Sequence, residues 1–155
     1  MTRIKFLIDR VNKNLPLPKR ATSKSAGLDL MASITEPITL NPFERVLVPT
    51  GIRAVGPSNI HIEIRPRSGL ALKHGITILN SPGTIDEDYK EEIKVILVNL
   101  SIEPFIINPG DRIAQMVLVP VSLIEPTEIT SEQFDKLFEP VEMASRNGGF
   151  GSTGK

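Results

Sequence analysis

Apolar and polar residues alternate along this chain in short bursts, not in long periodic stretches. Ile60-His61-Ile62-Glu63-Ile64 puts three isoleucines on one side and His61 and Glu63 on the other. That is the period-two signature of a half-buried strand. Comparable β-branched runs span Ile38 to Leu40, Arg45 to Val48, Ile76 to Leu79, Ile93 to Leu100, Phe105 to Ile107 and Ile113 to Val119. Prolines at 16, 18, 37, 42, 49, 57, 66, 82, 104, 109, 120, 126 and 140 punctuate the intervals, and few helices survive such spacing. Many short strands separated by turns predict an all-β barrel or double-sheet roll. Two helical segments are expected. Ser68 to His74 makes a turn or two stopped by Gly75. Thr130-Ser131-Glu132-Gln133 is a capping box that opens a short helix through Phe138, before Pro140.

Composition narrows the reading. A length of 155 residues suits one ordinary domain. With 40% apolar but only 5% aromatic residues, the core must be built from Ile, Leu and Val. Eighteen basic residues balance eighteen acidic ones, which argues against gripping long nucleic acid by bulk charge. A small anion held by a few local cations remains open. The absence of cysteine excludes disulfides, thiolate nucleophiles, Cys-ligated zinc and iron–sulfur clusters. His61 and His74 are too few and too isolated for a His-based zinc site. Arg3, Lys5, Asp9 and Arg10 interrupt the N-terminal apolar stretch, so no signal-peptide core is expected. No run approaches the roughly 18 apolar residues of a membrane span. The expectation is a soluble, cytoplasmic protein.

Four segments and the tail could carry chemistry. In Gly83-Thr84-Ile85-Asp86-Glu87-Asp88-Tyr89-Lys90-Glu91-Glu92, charges crowd between two strand-like runs. The crowd reads either as a solvated hairpin turn or as a carboxylate that activates water beside a ligand-packing ring. Clustered carboxylates also suit magnesium with its waters retained. Arg67-Ser68-Gly69 opens a helical turn, which suits phosphate or merely caps a surface turn; His74 reads as an ordinary helix-end residue. Asp29, flanked by Leu28 and Leu30, makes either a structural hydrogen bond or a buried cation site. Asn108-Pro109-Gly110-Asp111-Arg112 is a turn that Asp111 and Arg112 are expected to position, feeding a strand on which Gln115 could meet a ligand. Residues 147–155 are mostly Gly and Asn with small polar residues, too little to order themselves, yet they carry one aromatic, Phe150. There is no Walker loop, since the terminal Gly-Ser-Thr-Gly-Lys has no helix to follow it, and no H-E-x-x-H.

In chain order, Ala26-Gly27-Leu28-Asp29-Leu30, Pro66-Arg67-Ser68-Gly69-Leu70-Ala71, Gly83 to Tyr89, Gly110-Asp111-Arg112-Ile113-Ala114-Gln115 and Gly148 to Gly154 closely resemble the five motifs of the trimeric dUTP diphosphatases, or dUTPases. The resemblance runs from about residue 20 to the end. It implies a double-sheet β-roll of the dUTPase β-clip type over residues 1–145, and a flexible lid over 146–155. It further implies a homotrimer with shared active sites. The implied reaction takes dUTP and water to dUMP and pyrophosphate through magnesium-assisted attack on the α-phosphorus, supplying the dTMP precursor and keeping uracil out of DNA.

By the same resemblance, Asp86 orients and deprotonates the water and Gln115 contacts the reaction centre. Asn80 and the backbone around Thr84 and Ile85 read uracil, and Tyr89 lies under the deoxyribose and excludes a 2′-hydroxyl. Lys94 joins the substrate-binding set. Arg67, Ser68 and Gly69 hold phosphates from a neighbouring chain, and Asp29 supports hydrated Mg2+. In the tail, Phe150 covers the uracil while Gly151, Ser152 and Thr153 reach the terminal phosphates. Arg146, four residues before Phe150 where the family usually has five, is the implied γ-phosphate ligand. A dCTP deaminase or bifunctional deaminase-diphosphatase would share the fold; the Asp88-Tyr89 pair and the tail favour the diphosphatase. A non-catalytic nucleotide sensor is the reading from another class, against which stand Asp86 and the tail.

Overall fold

Each alternating run becomes a strand in the structure, a computed structural model that describes residues 6–137. The strands are β1 (Leu7–Arg10), β2 (Leu28–Met31), β3 (Ile38–Leu40), β4 (Arg45–Pro49), β5 (Ile52–Val55), β6 (Ile60–Arg65), β7 (Ile76–Ile78), β8 (Gly83–Ile85), β9 (Lys94–Asn99), β10 (Phe105–Ile107) and β11 (Arg112–Pro120). The two helices are α1 (Ser68–His74) and α2 (Ser131–Lys136). The predominantly β, few-helix architecture expected from the pattern is the one observed. Strands β1 and β5 were not distinguished in the sequence, and β8 lies inside the segment read as a charged turn. Among the described residues no helix is long and apolar enough to cross a membrane.

Contacts divide the chain into two units, Met1–Leu123 and Ile124–Lys155. In the second, the described structure is α2 and its cap. The Thr130 hydroxyl accepts the Gln133 N–H at 3.2 Å, and the Gln133 side chain accepts the Thr130 N–H at 2.8 Å. That is the reciprocal box expected from the sequence. The helix ends at Lys136, and Phe138, its expected last residue, lies outside the described residues.

In the first unit every strand pair is antiparallel. The orders are β1-β5, β10-β3, β2-β11-β6-β8 and β4-β9-β7. Leu30, Leu40, Ile62, Ile76, Ile93, Val95, Leu97, Ile107 and Met116 are buried within it. Each such side chain contributes about 1.5–3 kcal/mol by leaving water. The core is therefore aliphatic, as composition required. The one fully buried side-chain amide among the described residues, Asn99, is fully satisfied: it donates to the carbonyls of Leu40 and Glu103 and accepts from the backbone and hydroxyl of Ser101. That network pins β3, β9 and the loop before β10 together. Helix α1 closes at Gly75, whose φ of 66° is left-handed and whose Cβ position lies 2.9 Å from Ser101 Cβ. Only glycine fits there.

Four of the five motif segments meet on the single sheet β2-β11-β6-β8. Asp29 lies on β2, Gln115 on β11, Arg67 just past the end of β6, and Thr84 and Ile85 on β8. Opposed residues share a face. Leu30, Ala114, Met116, Ile64 and Ile62 therefore point to the core, while Asp29, Gln115, Arg65, Glu63 and Thr84 occupy the other face. The register of β11 against β2 shifts between Arg112 and Ala114. This bulge inserts one extra residue, so Ile113 and Ala114 both stay buried and Arg112 joins Asp29 and Gln115 on the polar face.

Candidate active site

Two groups of functional side chains sit at opposite ends of this sheet. The first is a pocket of about 350 Å³ lined by Asn80, Gly83, Thr84, Ile85, Tyr89 and Lys94, with Leu47, Ile64, Ile78 and Ile96 among its apolar walls. Such a volume, mostly apolar with a few polar groups, suits a small ligand. Asn80 stands in the link between β7 and β8, where the Ser81–Pro82 peptide is cis. A Cβ on Gly83 would lie 3.3 Å from Ile64 Cβ and 3.4 Å from the Asn80 amide nitrogen, so the glycine sits close beneath both. Asp86 follows directly. Its carbonyl accepts the Tyr89 N–H at 3.2 Å, closing a turn that presents the Asp86 carboxylate to solvent. The Tyr89 hydroxyl donates to the Glu92 carbonyl at 3.1 Å, which anchors a ring that is 38% exposed. Glu87 accepts the Asn59 N–H and Glu92 the Gly51 N–H, so those two acids brace the turn. Among the described residues, the side chains of Asn80, Asp86, Asp88 and Lys94 have no recorded partner.

The second group is tightly tied. The Asp29 carboxylate lies between two guanidiniums, 3.1 Å from Arg112 and 3.5 Å from Arg67. Arg67 also donates to the Arg112 carbonyl at 2.6 Å. Gln115 donates to the Pro66 carbonyl at 3.0 Å. Its side chain lies against Gly27, where a Cβ would sit 2.5 Å from Gln115 Oε1. Motifs one, two and four are thus bonded to one another within one chain. Ser68 and Gly69 begin α1, exposed, and no side chain caps the helix. A Cβ on Gly69 would meet nothing within 4 Å. No neighbour in the chain requires a glycine there. Midway between the groups, the Arg65 guanidinium beside Glu63 holds that carboxyl below its usual range, with His61 adding to the effect.

Asn80, Thr84, Ile85, Tyr89 and Lys94 share the pocket with Asp86 at its edge, and Asp29, Arg67 and Gln115 share the ion-pair cluster. The two groups do not come together in one chain. Ile85 pairs with Ile62, which is level with Leu118, whereas Arg67 is held at Arg112. Along β11 that separation is roughly 20 Å. Arg146, Phe150, Gly151, Ser152 and Thr153 lie outside the described residues. Asp111 does position its turn, accepting from the Asn108 N–H at 2.8 Å. Arg112, expected to do the same, reaches Asp29 instead, because the bulge turns it to the other face. Asp29 makes ion pairs rather than standing in a cluster of metal ligands: among the described residues no three His, Asp or Glu side chains gather to hold a metal.

Comparisons with known proteins agree with this architecture. A family model described as dUTPase matches residues 13–154. The deoxyuridine 5'-triphosphate nucleotidohydrolase of Wolbachia pipientis subsp. Culex pipiens is 49% identical over 99% of this chain and 97% of its own. The Chlamydia pneumoniae enzyme of that name is 52% identical over 89% of this chain and 90% of its own. Among solved structures, the dUTPase of Streptococcus mutans aligns with a TM-score of 0.67 and 27% identity over 77% of this chain and 98% of its own. A mutant dUTPase of S. aureus phage phi11, which coordinates a structural Mg(II) ion, shares the fold with a TM-score of 0.74 and 22% identity, over 81% of this chain and 96% of its own. With a family model spanning most of its length and relatives about half identical from end to end, the chain belongs to the dUTPase family.

Proposed function

We propose that the chain hydrolyses dUTP to dUMP and pyrophosphate, with the pocket holding the deoxyuridine. The observation that carries this reading is the pocket of Asn80, Thr84, Ile85 and Tyr89 with a free carboxylate, Asp86, on its edge turn. Uracil presents a fixed pattern of donors and acceptors. The Asn80 amide and the backbone of β8 can match that pattern, and a buried mismatch is strongly penalised. The Tyr89 ring packs on the sugar and leaves no room for a 2′-hydroxyl. Asp86 takes a proton from the attacking water. The water oxygen bonds to the α-phosphorus, the bond from that phosphorus to the bridging oxygen breaks, and pyrophosphate leaves with the electron pair.

The phosphates belong with the other group. Arg67, Ser68 and Gly69 hold them and Gln115 contacts the reaction centre, while Lys94 joins the substrate-binding set from the pocket. The open space over Gly69 gives a phosphate room to approach the backbone. Because roughly 20 Å separates that group from Asp86 within one chain, the substrate bridges two chains of a homotrimer. Residues 146–155 of a further chain then close over it, with Phe150 on the base and Arg146, Gly151, Ser152 and Thr153 on the phosphates. Magnesium would fit here only as a hydrated ion, because the Asp29 carboxylate of this cluster is already engaged by two arginines. Asp29 would hold such an ion through its waters, and when bound it neutralises phosphate charge. Phosphorus NMR of dUTP with the protein and magnesium tests the reading. Pyrophosphate and dUMP are expected; dUDP and orthophosphate, or no turnover, would overturn it.

A further inference from the structure

We propose that Arg112 is a positioning residue: with Asp29 it forms a clasp that aims the Arg67 guanidinium at a phosphate of the substrate. The inference rests on the dUTP-hydrolysing reading. A guanidinium is planar and carries five N–H donors in fixed directions. Arg67 is already engaged twice, Nη1 in a hydrogen bond to the Arg112 carbonyl at 2.6 Å and Nε in a longer ion-pair contact with Asp29 at 3.5 Å. Its Nη2 has no recorded partner among the described residues and is the edge left for an anion. Arg112 contributes twice, because its own guanidinium holds Asp29 at 3.1 Å from the other side. One carboxylate between two guanidiniums leaves a net positive charge on the cluster. That charge favours an anionic group while Asp29 keeps the two cations from splaying apart.

The bulge makes the clasp possible. In an unbroken ladder, Ile113 would stand opposite Met31 and Arg112 would turn to the core face. With the register shifted, Arg112 stands opposite Met31, diagonal to Asp29, within reach of a long side chain. Pairing of β11 with β6 begins only at Gln115, so on that side the ladder leaves the Arg112 carbonyl to Arg67.

The test is a cycle of Arg112→Ala, Arg67→Ala and the double variant in the full-length protein. The readouts are kcat, KM and binding of a non-hydrolysable dUTP analogue and of deoxyuridine. Arg112→Ala should weaken analogue binding roughly 10–100-fold, the scale of a hydrogen bond to a charged group. Deoxyuridine affinity should stay within about twofold. The double variant should lose no more than Arg67→Ala alone, because Arg112 acts through Arg67. Additive losses, equal loss of deoxyuridine binding, or unchanged analogue affinity in Arg112→Ala would overturn the clasp. If Arg112→Ala fails to fold, Arg112→Met supplies the same comparison: it fills similar space without the guanidinium, and since every variant keeps the backbone carbonyl, the loss of analogue affinity reports the hold on Asp29. The parent protein's turnover of dUTP is measured alongside. A parent that binds inorganic triphosphate through Arg112 and Arg67 yet leaves dUTP intact would refute the proposed reaction and keep the clasp.

Discussion

The two ends of the β2-β11-β6-β8 sheet are prepared differently. At the Arg67 end the charged side chains hold one another: Asp29 grips Arg67 and Arg112, and Gln115 grips the Pro66 carbonyl. At the Asp86 end the turn is braced by Glu87 and Glu92, while Asn80, Asp86 and Lys94 stand without recorded partners among the described residues. In the proposed reading, phosphate charge is met by cations fixed beforehand, and such preorganisation avoids rearrangement during reaction. The Asp86 end, proposed to take the nucleoside, instead keeps its polar groups unspent for base and water. Binding and chemistry should therefore separate when each end is perturbed.

The largest expected effect is at the open end. Asp86→Asn keeps shape and hydrogen-bonding capacity but cannot take a proton, so kcat should fall about 10²–10⁴-fold. Analogue binding should stay within a few-fold of the parent. Asp88→Asn, two residues along the same turn, should cost far less, and equal losses would remove the distinction between the two acids. Next, Tyr89→Ala should raise kcat/KM for UTP relative to dUTP by roughly tenfold or more, on the scale of a lost packing contact. An unchanged ratio would mean the ring does not guard the sugar.

A smaller effect is expected at the tied end. Gly27→Ala places a methyl 2.5 Å from Gln115 Oε1, so Gln115 must swing away from Pro66. Thermal unfolding should report a loss of about 1 kcal/mol, one net hydrogen bond. Turnover should drop in step; full activity would show that Gln115 does not need this seat. Smallest is the acid response of the surface pairs. Arg53 first and Lys13 second hold the Asp9 carboxyl below its usual range, as Arg65 holds Glu63. Both groups bind protons more weakly folded than unfolded. Their stabilisation is therefore complete at neutral pH and is lost as pH falls below about 4. Exposed pairs contribute little, so Asp9→Asn should only slightly flatten the fall in unfolding midpoint between neutral and acid pH. A midpoint that rises on acidification would contradict the sign.

Much of this was legible in the sequence because it is local. Alternation marked β6 and the runs around β4, β7, β9, β10 and β11, and Thr130 to Gln133 announced α2 and its cap. Gly75 marked the end of α1, where a left-handed backbone favours glycine. Strands β1 and β5 were not legible, since Asp9 and Arg10 in the first and Arg53 in the second break the apolar run. Strand β8 was hidden by the charges that follow it. The site was legible as residues but not as an arrangement. Asp29 meets Arg112 across 83 positions, and Arg67 meets the Arg112 carbonyl across 45. Local pattern carries nothing about such pairings. Nor does it show a bulge, which here keeps two consecutive residues, Ile113 and Ala114, in the core and thereby decides where Arg112 goes.

The distance along β11 between Asp86 and Arg67 has a consequence for inheritance. If each site takes Asp86 from one copy and Arg67 from another, two defective alleles can rescue each other. A cell expressing both Asp86→Asn and Arg67→Ala would build mixed trimers by random association. Each mixed trimer contains one interface where the intact Asp86 of one product faces the intact Arg67 of the other. Equal expression should restore about a quarter of parental turnover, from two genes that are each inactive alone. Purified variants dissociated, mixed and reassembled should behave the same way, and a mixture as dead as its components would place both residues in one chain's site.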